Sequence, residues 1–417
     1  MALDASFVRY MDADIQSRLM DSAGRFPPSS DAGTANRRRF PVRLPVVGLL
    51  TFVFLTQVPA VSAHGATATG GLSRMHGLLL AVVGIVILVA AVAGKRTRRV
   101  TPTVALYGVF AGIVVAALGA ILFEGLSPDP TYSASTMPFP RSWYPPIALT
   151  VGFLVVVASF VIVRVRWPSR PRYAVLGYLL GLWIGYPYLV PRATSHINPI
   201  GYAIVIATPL VAGYIIWKDV GEILRAILRD RVATGFGIGV GLVMALFFIT
   251  ITGYLSFFPE EGIPHDPYLE VLPTIYQLVM WPTLEVGDPH IPFFLALSPG
   301  QLIVVGTLSA LIGLNAAVIA RHWRVQERAG FTQGTAGSAA IVGTCTCGCC
   351  GPLIAKVAVV AAGPAIAAPL YWVFVDSASP LSAMFIVGSL LLFVGSLIYS
   401  VGAAHDSPRT SAINPAD

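Results

Sequence analysis

The sequence predicts an all-α fold, a polytopic transmembrane helical bundle of 9–10 spans. Three observations predict it. Uncharged apolar runs of about 20 residues recur along the chain, each long enough to cross roughly 30 Å of hydrocarbon. Only 11% of the residues are charged and the mean hydropathy is +0.75, whereas a soluble domain carries roughly 25% charged residues. Lys and Arg collect in alternate loops, the pattern expected of a chain threaded back and forth through a bilayer.

The elements follow in order. Residues 1–36, polar and ending in a Ser/Pro/Gly-rich stretch, read as a disordered cytoplasmic tail. In residues 37–63, Arg37, Arg38, Arg39 and Arg43 precede the apolar "LPVVGLLTFVFLTQVPAVSA". That is the layout of a signal peptide cleaved after Ala63, or of an uncleaved signal anchor. Apolar runs then recur at 77–94, 103–123, 146–163, 173–191, 200–217, 235–257, 300–320, 336–362 and 380–403. Residues 64–330 form a polytopic membrane domain with a long external loop at 259–299, 331–403 form a cysteine-bearing membrane module, and 404–417 are a short polar tail. The apolar middle of the long loop, "YLEVLPTIYQLVMW", is expected to lie in the interface as a short helix. Tyr268, Tyr276 and Trp281 are its candidate partner contacts. The stretch 331–375 is expected to be either one long tilted span with an external turn or two short helices broken at "CGCCGP". The second option puts the C-terminus outside.

Placing the tail in the cytoplasm assigns 15 Lys and Arg to the inside loops at 95–99, 164–172, 218–231 and 321–328. The outside loops keep three: Arg74, Arg141 and Arg192. The net charge of +7 is therefore spent on orientation in a cell membrane, so the partner is a lipid bilayer and not a nucleic acid. The outside segments hold nine of the twenty Asp and Glu residues, Glu124 among them, and five of the seven histidines. No nucleotide-binding motif is present, so ATP-driven pumping requires a separate subunit. Acidic residues within the spans are scarce, which argues against a conventional proton-coupled carrier.

All four cysteines, Cys345, Cys347, Cys349 and Cys350, fall within six positions. The compact C-x-C-x-C-C pattern differs from the paired knuckles of structural zinc sites. Gly348, Gly351 and Pro352 disfavour a regular helix there, and an opened backbone turns several sulfurs toward one soft cation such as Cu, Hg or Zn. A dithiol–disulfide couple is the other use of such spacing, and simple packing of small residues is the third. Lys356 follows within the apolar run. A lysine there costs on the order of 3 kcal/mol unless it finds a partner or snorkels to the interface. Near the thiols it tunes them toward thiolate, the form that captures metal or attacks a disulfide.

The block "GTAGSAAIVGTCTCGCCGPLIAKVAVVAAG" and the later "SPLSAMFIVGSLLLFVGSLIYS" resemble the small mercuric-ion membrane transport proteins. The matching positions are Cys349, Cys350, Pro352 and Leu353, and the resemblance spans about 70 residues. It implies that the vicinal pair accepts a thiophilic cation and passes it through the membrane. This chain departs from the family in adding Cys345 and Cys347, in having one residue fewer between the pair and the proline, and in lacking a later cysteine pair.

Histidines supply auxiliary ligand candidates. Cleavage after Ala63 exposes His64 as an N-terminal chelator, with His76 as a third donor. Asp266 beside His265, and Asp288 two residues before His290, suit metal binding or orientation of a ligand histidine. The leading expectation is thus an integral membrane protein that binds or translocates a soft metal ion, served by an external metal-carrying protein or further membrane subunits. A membrane thiol–disulfide oxidoreductase and a non-catalytic membrane subunit are the alternatives. An enzyme is the less expected class.

Overall fold

The structure, a computed structural model, describes residues 73–127, 137, 139–190, 198–257, 266–288, 293–328, 351–374 and 379–405. The apolar run at 44–63 lies outside them. Ten helices and four short strands are described. Helices α1 (Arg74–Arg96), α2 (Pro102–Gly125), α3 (Tyr144–Arg166), α4 (Arg172–Leu189), α5 (Pro199–Leu228) and α6 (Arg231–Ile251) lead into strands β1 (Leu255–Ser256), β2 (Tyr268–Tyr276), β3 (Val279–Asp288) and β4 (Phe293–Leu297). Helices α7 (Pro299–Arg328), α8 (Gly351–Ala362), α9 (Pro364–Phe374) and α10 (Pro380–His405) follow. Seven of the ten, all but α4, α8 and α9, are long and apolar enough to cross a membrane. The chain is a multi-pass, all-α membrane protein.

Four helices start at a capping residue followed by proline: Thr101-Pro102, Asn198-Pro199, Ser298-Pro299 and Ser379-Pro380. The cap side chain takes up an amide that the helix cannot satisfy itself, and proline at the first position has no amide to satisfy. Asn198 Oδ1 accepts from Gly201 N at 3.3 Å and Ser379 Oγ from Leu381 N at 3.3 Å. At the start of α7, Ser298 Oγ accepts from Gln301 N at 3.2 Å while Gln301 Oε1 accepts from Ser298 N at 2.9 Å, a reciprocal box.

Three antiparallel helix pairs are packed backbone to backbone through small residues. Between α1 and α2, a Cβ built on Gly84 would lie 2.3 Å from Ala116 N, and one on Gly119 would lie 2.2 Å from Ala81 N. Between α3 and α4, Gly152 and Gly181 each face the other's carbonyl, at 2.7 and 2.6 Å from the built Cβ. Between α6 and α7, Gly237 and Gly313 do the same at 2.6 and 2.5 Å. Lipid tails compete equally for large apolar side chains, so close backbone approach is what holds membrane helices together. Helix α4 alone of these six is not long and apolar enough to count as a span, and Leu180, Trp183 and Ile184 are fully buried. Asn315 ties α7 to α10: its Nδ2 donates to Leu311 O at 2.8 Å and Phe393 O at 3.3 Å, and its Oδ1 accepts from the Ser396 hydroxyl.

The bundle has a basic end and a sheet end. At the basic end Lys95 lies 4.5 Å above the Trp323 ring, Arg324 pairs with the α6 cap Asp230, and Asp219 accepts from Arg172 Nε at 3.1 Å and from the Tyr173 hydroxyl at 2.8 Å. At the opposite end an antiparallel sheet of order β1-β4-β3-β2 joins α6 to α7. This replaces the interfacial helix expected within 259–299. The apolar middle is rich in Val, Ile, Thr, Tyr and Trp, and along β3 the buried Val279, Trp281 and Thr283 alternate with less buried neighbours, a period of two. Gln277 turns the hairpin with φ of +58°, and Pro273 and Pro282 are register partners. Counted from the two-residue loop, theirs is a non-hydrogen-bonded pair, and β4 does not reach that far along β3. Neither missing amide therefore costs the ladder a bond.

Of the stretch 331–375, residues 331–350 lie outside the described residues, and the described part is two helices parted at Gly363, whose φ is +87°. At 12 and 11 residues, α8 and α9 are each too short to span a bilayer. Lys356 of α8 reaches Glu124 at the end of α2, and Trp372 of α9 lies 5.5 Å under Arg141 just before α3. Both contacts lie at the sheet end, so α10 runs from the sheet end toward the basic end.

Packing predicts a contrast between glycines. Gly119→Ala costs about 1–3 kcal/mol of overpacking, whereas Gly213→Ala, with nothing within 4 Å of its built Cβ, costs nothing. Thermal unfolding of the two variants in detergent checks this, and equal melting temperatures would refute the seam.

Candidate functional site

Helix α8, "GPLIAKVAVVAA", has one polar side chain, that of Lys356. Its Nζ lies 2.9 Å from Glu124 Oε1 and also donates to the Glu124 backbone carbonyl at 3.0 Å. The two side chains retain only 11% and 14% of their exposure. Glu124 was expected in an outside loop, but α2 continues past the apolar run and ends at Gly125, closed by Leu126 N donating to Leu122 O at 3.1 Å. The ammonium therefore answers a carboxylate and a carbonyl of the last turn of α2, where the helix dipole is negative. The need for a partner was evident from Lys356 alone. The partner was not, because 232 residues separate the two.

Cys345, Cys347, Cys349 and Cys350 lie outside the described residues, as do His64, His265 and His290. Cys350 is joined directly to Gly351, the first residue of α8, and Lys356 follows six positions after it. The Lys356 ammonium that was expected to tune the thiols is held by Glu124. His76 is described, and its Nδ1 is taken up in capping α1: it accepts from Ser73 N at 3.1 Å and lies 2.8 Å from Ser73 Oγ. Its neighbour Gly77 packs on Phe123, one residue before Glu124, so His76 and the ion pair share the sheet end.

The sheet end is acidic. Between Gly253 and Gly300 there are six Asp and Glu residues and no Lys or Arg. Glu270 and Glu285 are cross-strand register partners, a like-charge pair that a sheet tolerates poorly unless solvent or a cation screens it. Burial first, then the Glu285 and Glu270 carboxylates, push the Tyr268 phenol above its ordinary range. Asp266 is exposed and Asp288 closes β3. Two of the aromatic residues expected as partner contacts are committed to the fold instead. Trp281 is buried against Tyr202, with ring centroids 4.7 Å apart, and Tyr276 packs on Tyr254 at 5.8 Å. Among the described residues no group of three or more His, Cys, Asp or Glu side chains is gathered to hold a metal. What the described part of the site offers is a buried, compensated charge on the helix that begins at the cysteine cluster.

Comparison with known proteins found no matching family model, curated protein or solved structure.

Breaking this pair from either side strands a charge in a nearly dry setting. Lys356→Met and Glu124→Gln should each lose roughly 3 kcal/mol, and the double variant less than the sum. A double-mutant cycle on unfolding in detergent reads the coupling, and simple additivity would show that the two groups do not interact.

Proposed function

We propose that the chain binds and passes a soft, thiophilic cation through the membrane, with Cys345, Cys347, Cys349 and Cys350 as the capture group. The observation that carries this reading is the setting of the helix that begins directly after Cys350. An apolar helix too short to span carries a lysine, and a carboxylate at the end of α2 compensates it. A thiolate cluster feeding such a helix suits Cu(I), Hg(II) or Zn(II), the cations that soft sulfur ligands select. The acidic segment between Gly253 and Gly300, free of Lys and Arg, draws cations toward the same side. His64, His265 and His290 are auxiliary donors in this reading. The resemblance of the cysteine-bearing module to mercuric-ion transport proteins agrees with it. By the distribution of Lys and Arg, the basic end and the N-terminal tail face the cytoplasm and the sheet end faces outward, in the cell membrane.

Metal stoichiometry tests the chemistry. Detergent-purified protein and a variant with all four cysteines changed to serine are loaded with Cu(I), Zn(II) or Hg(II) under reducing conditions. The wild type should retain about one tight equivalent and the variant none; equal loading of the two sinks the metal reading and turns attention to thiol–disulfide exchange. Orientation is tested separately in intact cells. In a cysteine-free background, Pro282→Cys should react with a membrane-impermeant maleimide and Thr97→Cys should react only after lysis. The reverse pattern inverts the topology.

A further inference from the structure

We infer that the corner between the start of α4 and the side of α5, at the basic end, binds the phosphate headgroup of an anionic phospholipid. The inference stands apart from the cysteine cluster. The length of α5 sets the depth of the site. From Pro199 to Trp217 the helix rises about 27 Å, close to the thickness of the hydrocarbon, so Lys218 emerges at the level of the headgroups. Leu210, Tyr214 and Trp217, spaced four and three residues apart, form an exposed stripe that leads up to it. An acyl chain covers such a stripe, and Tyr and Trp are the side chains that sit where chain meets headgroup.

The cations at the top of the stripe outnumber the carboxylate that holds them. Asp219 accepts from Arg172 Nε at 3.1 Å and from a second nitrogen of the same guanidinium, and it lies 3.8 Å from Arg170. Its side chain keeps only 7% exposure, whereas that of Arg170 keeps 42% and Lys218 is exposed. The negative charge is thus turned inward and two positive charges remain in excess. Aromatic rings hold the arginines in place. Arg170 Nη1 donates to the Tyr173 hydroxyl at 3.1 Å, and the Tyr173 ring lies 6.0 Å from the Arg170 guanidinium and 5.6 Å from that of Arg172. Trp167 braces Tyr173 edge-on at 5.6 Å, and Tyr214 of the stripe is within electrostatic reach of Arg172. One turn further along α5, Glu222 and Arg225 add a charge of each sign and leave the excess unchanged.

A phosphodiester brings one negative charge and acceptor oxygens to this depth, where Arg170 offers a planar fork and Lys218 a point charge. A soluble phosphate gains the same charges but leaves the stripe of Leu210, Tyr214 and Trp217 uncovered. A lipid satisfies both, and its headgroup is confined to the plane in which these cations stand.

The experiment titrates detergent-purified protein with phosphatidylglycerol and with phosphatidylcholine of the same chains, and counts bound lipid by native mass spectrometry. Wild type should hold one phosphatidylglycerol about tenfold more tightly than phosphatidylcholine, and the double variant Arg170→Gln/Lys218→Gln should bind the two lipids alike. A control variant, Arg98→Gln/Arg99→Gln, removes two exposed cations from the α1–α2 turn at the same end and should keep the preference. Equal loss in the two double variants means diffuse attraction by the whole basic end and overturns the site, as does equal affinity of wild type for the two lipids. Displacement of phosphatidylglycerol by millimolar inorganic phosphate assigns the charges to a soluble anion and overturns the lipid reading. Should Arg170→Gln/Lys218→Gln fail to purify as a monodisperse protein, Lys218→Gln alone decides the matter: it should weaken phosphatidylglycerol binding several-fold and leave phosphatidylcholine binding unchanged, and no effect on either overturns the inference.

Discussion

The structure depends on backbone-to-backbone contact between antiparallel helices. In hydrocarbon there is no hydrophobic gain from bringing two leucine-covered helices together, so affinity must come from van der Waals contact at short range. Glycine permits that range, and the chain places it at steps of seven in Gly77 and Gly84 and in Gly112 and Gly119, and at steps of four in Gly177, Gly181 and Gly185. Each step returns to one helix face, so each seam is a continuous groove. Three tight pairs result, and the larger apolar side chains are left to fill the space between them around Trp183, Ile215, Phe248 and Leu308.

Polar groups inside such a bundle carry more consequence than their number suggests. Asn315 has both ends of its amide engaged between α7 and α10. Lys356 and Glu124 pin a short helix that could not hold its place by spanning. Interactions that would be weak at a wet surface become positional constraints when the alternative is an unpaired group facing lipid. The same economy explains why charged side chains concentrate at the basic end, where Asp219 gathers Arg170 and Arg172 and Asp230 pairs with Arg324.

The sequence made the helices legible because hydropathy reports directly on the solvent that surrounds them. Runs read at 77–94, 103–123, 146–163, 200–217 and 300–320 all fall inside described helices, and the true ends lie a few residues outward, as where Thr101, Asn198 and Ser298 cap three of them. The sheet was not legible in the same way. "YLEVLPTIYQLVMW" is apolar on both faces, since one packs on the bundle end while Leu269, Val271 and Ile275 stay exposed on the other, and a two-sided apolar strand loses the alternation that marks a strand. Within the site, Lys356 announced itself as a misplaced charge, whereas Glu124 was hidden at the edge of an apolar run and looked like a loop residue. Pairing across 232 residues is a property of the packed bundle, which no local pattern encodes.

The proline pair across the hairpin also has a bearing on how copies of this protein behave when crowded in one membrane. Strand β2 is the free border of the sheet, nine residues long and fringed with apolar side chains. Such a border invites a neighbour to zip onto it. At a non-hydrogen-bonded position the amide points away from β3, so Pro273 removes a donor from the middle of that border, and an incoming strand meets a gap where it needs a bond. The residue that costs its own sheet nothing thus keeps separate molecules from joining into an extended ribbon.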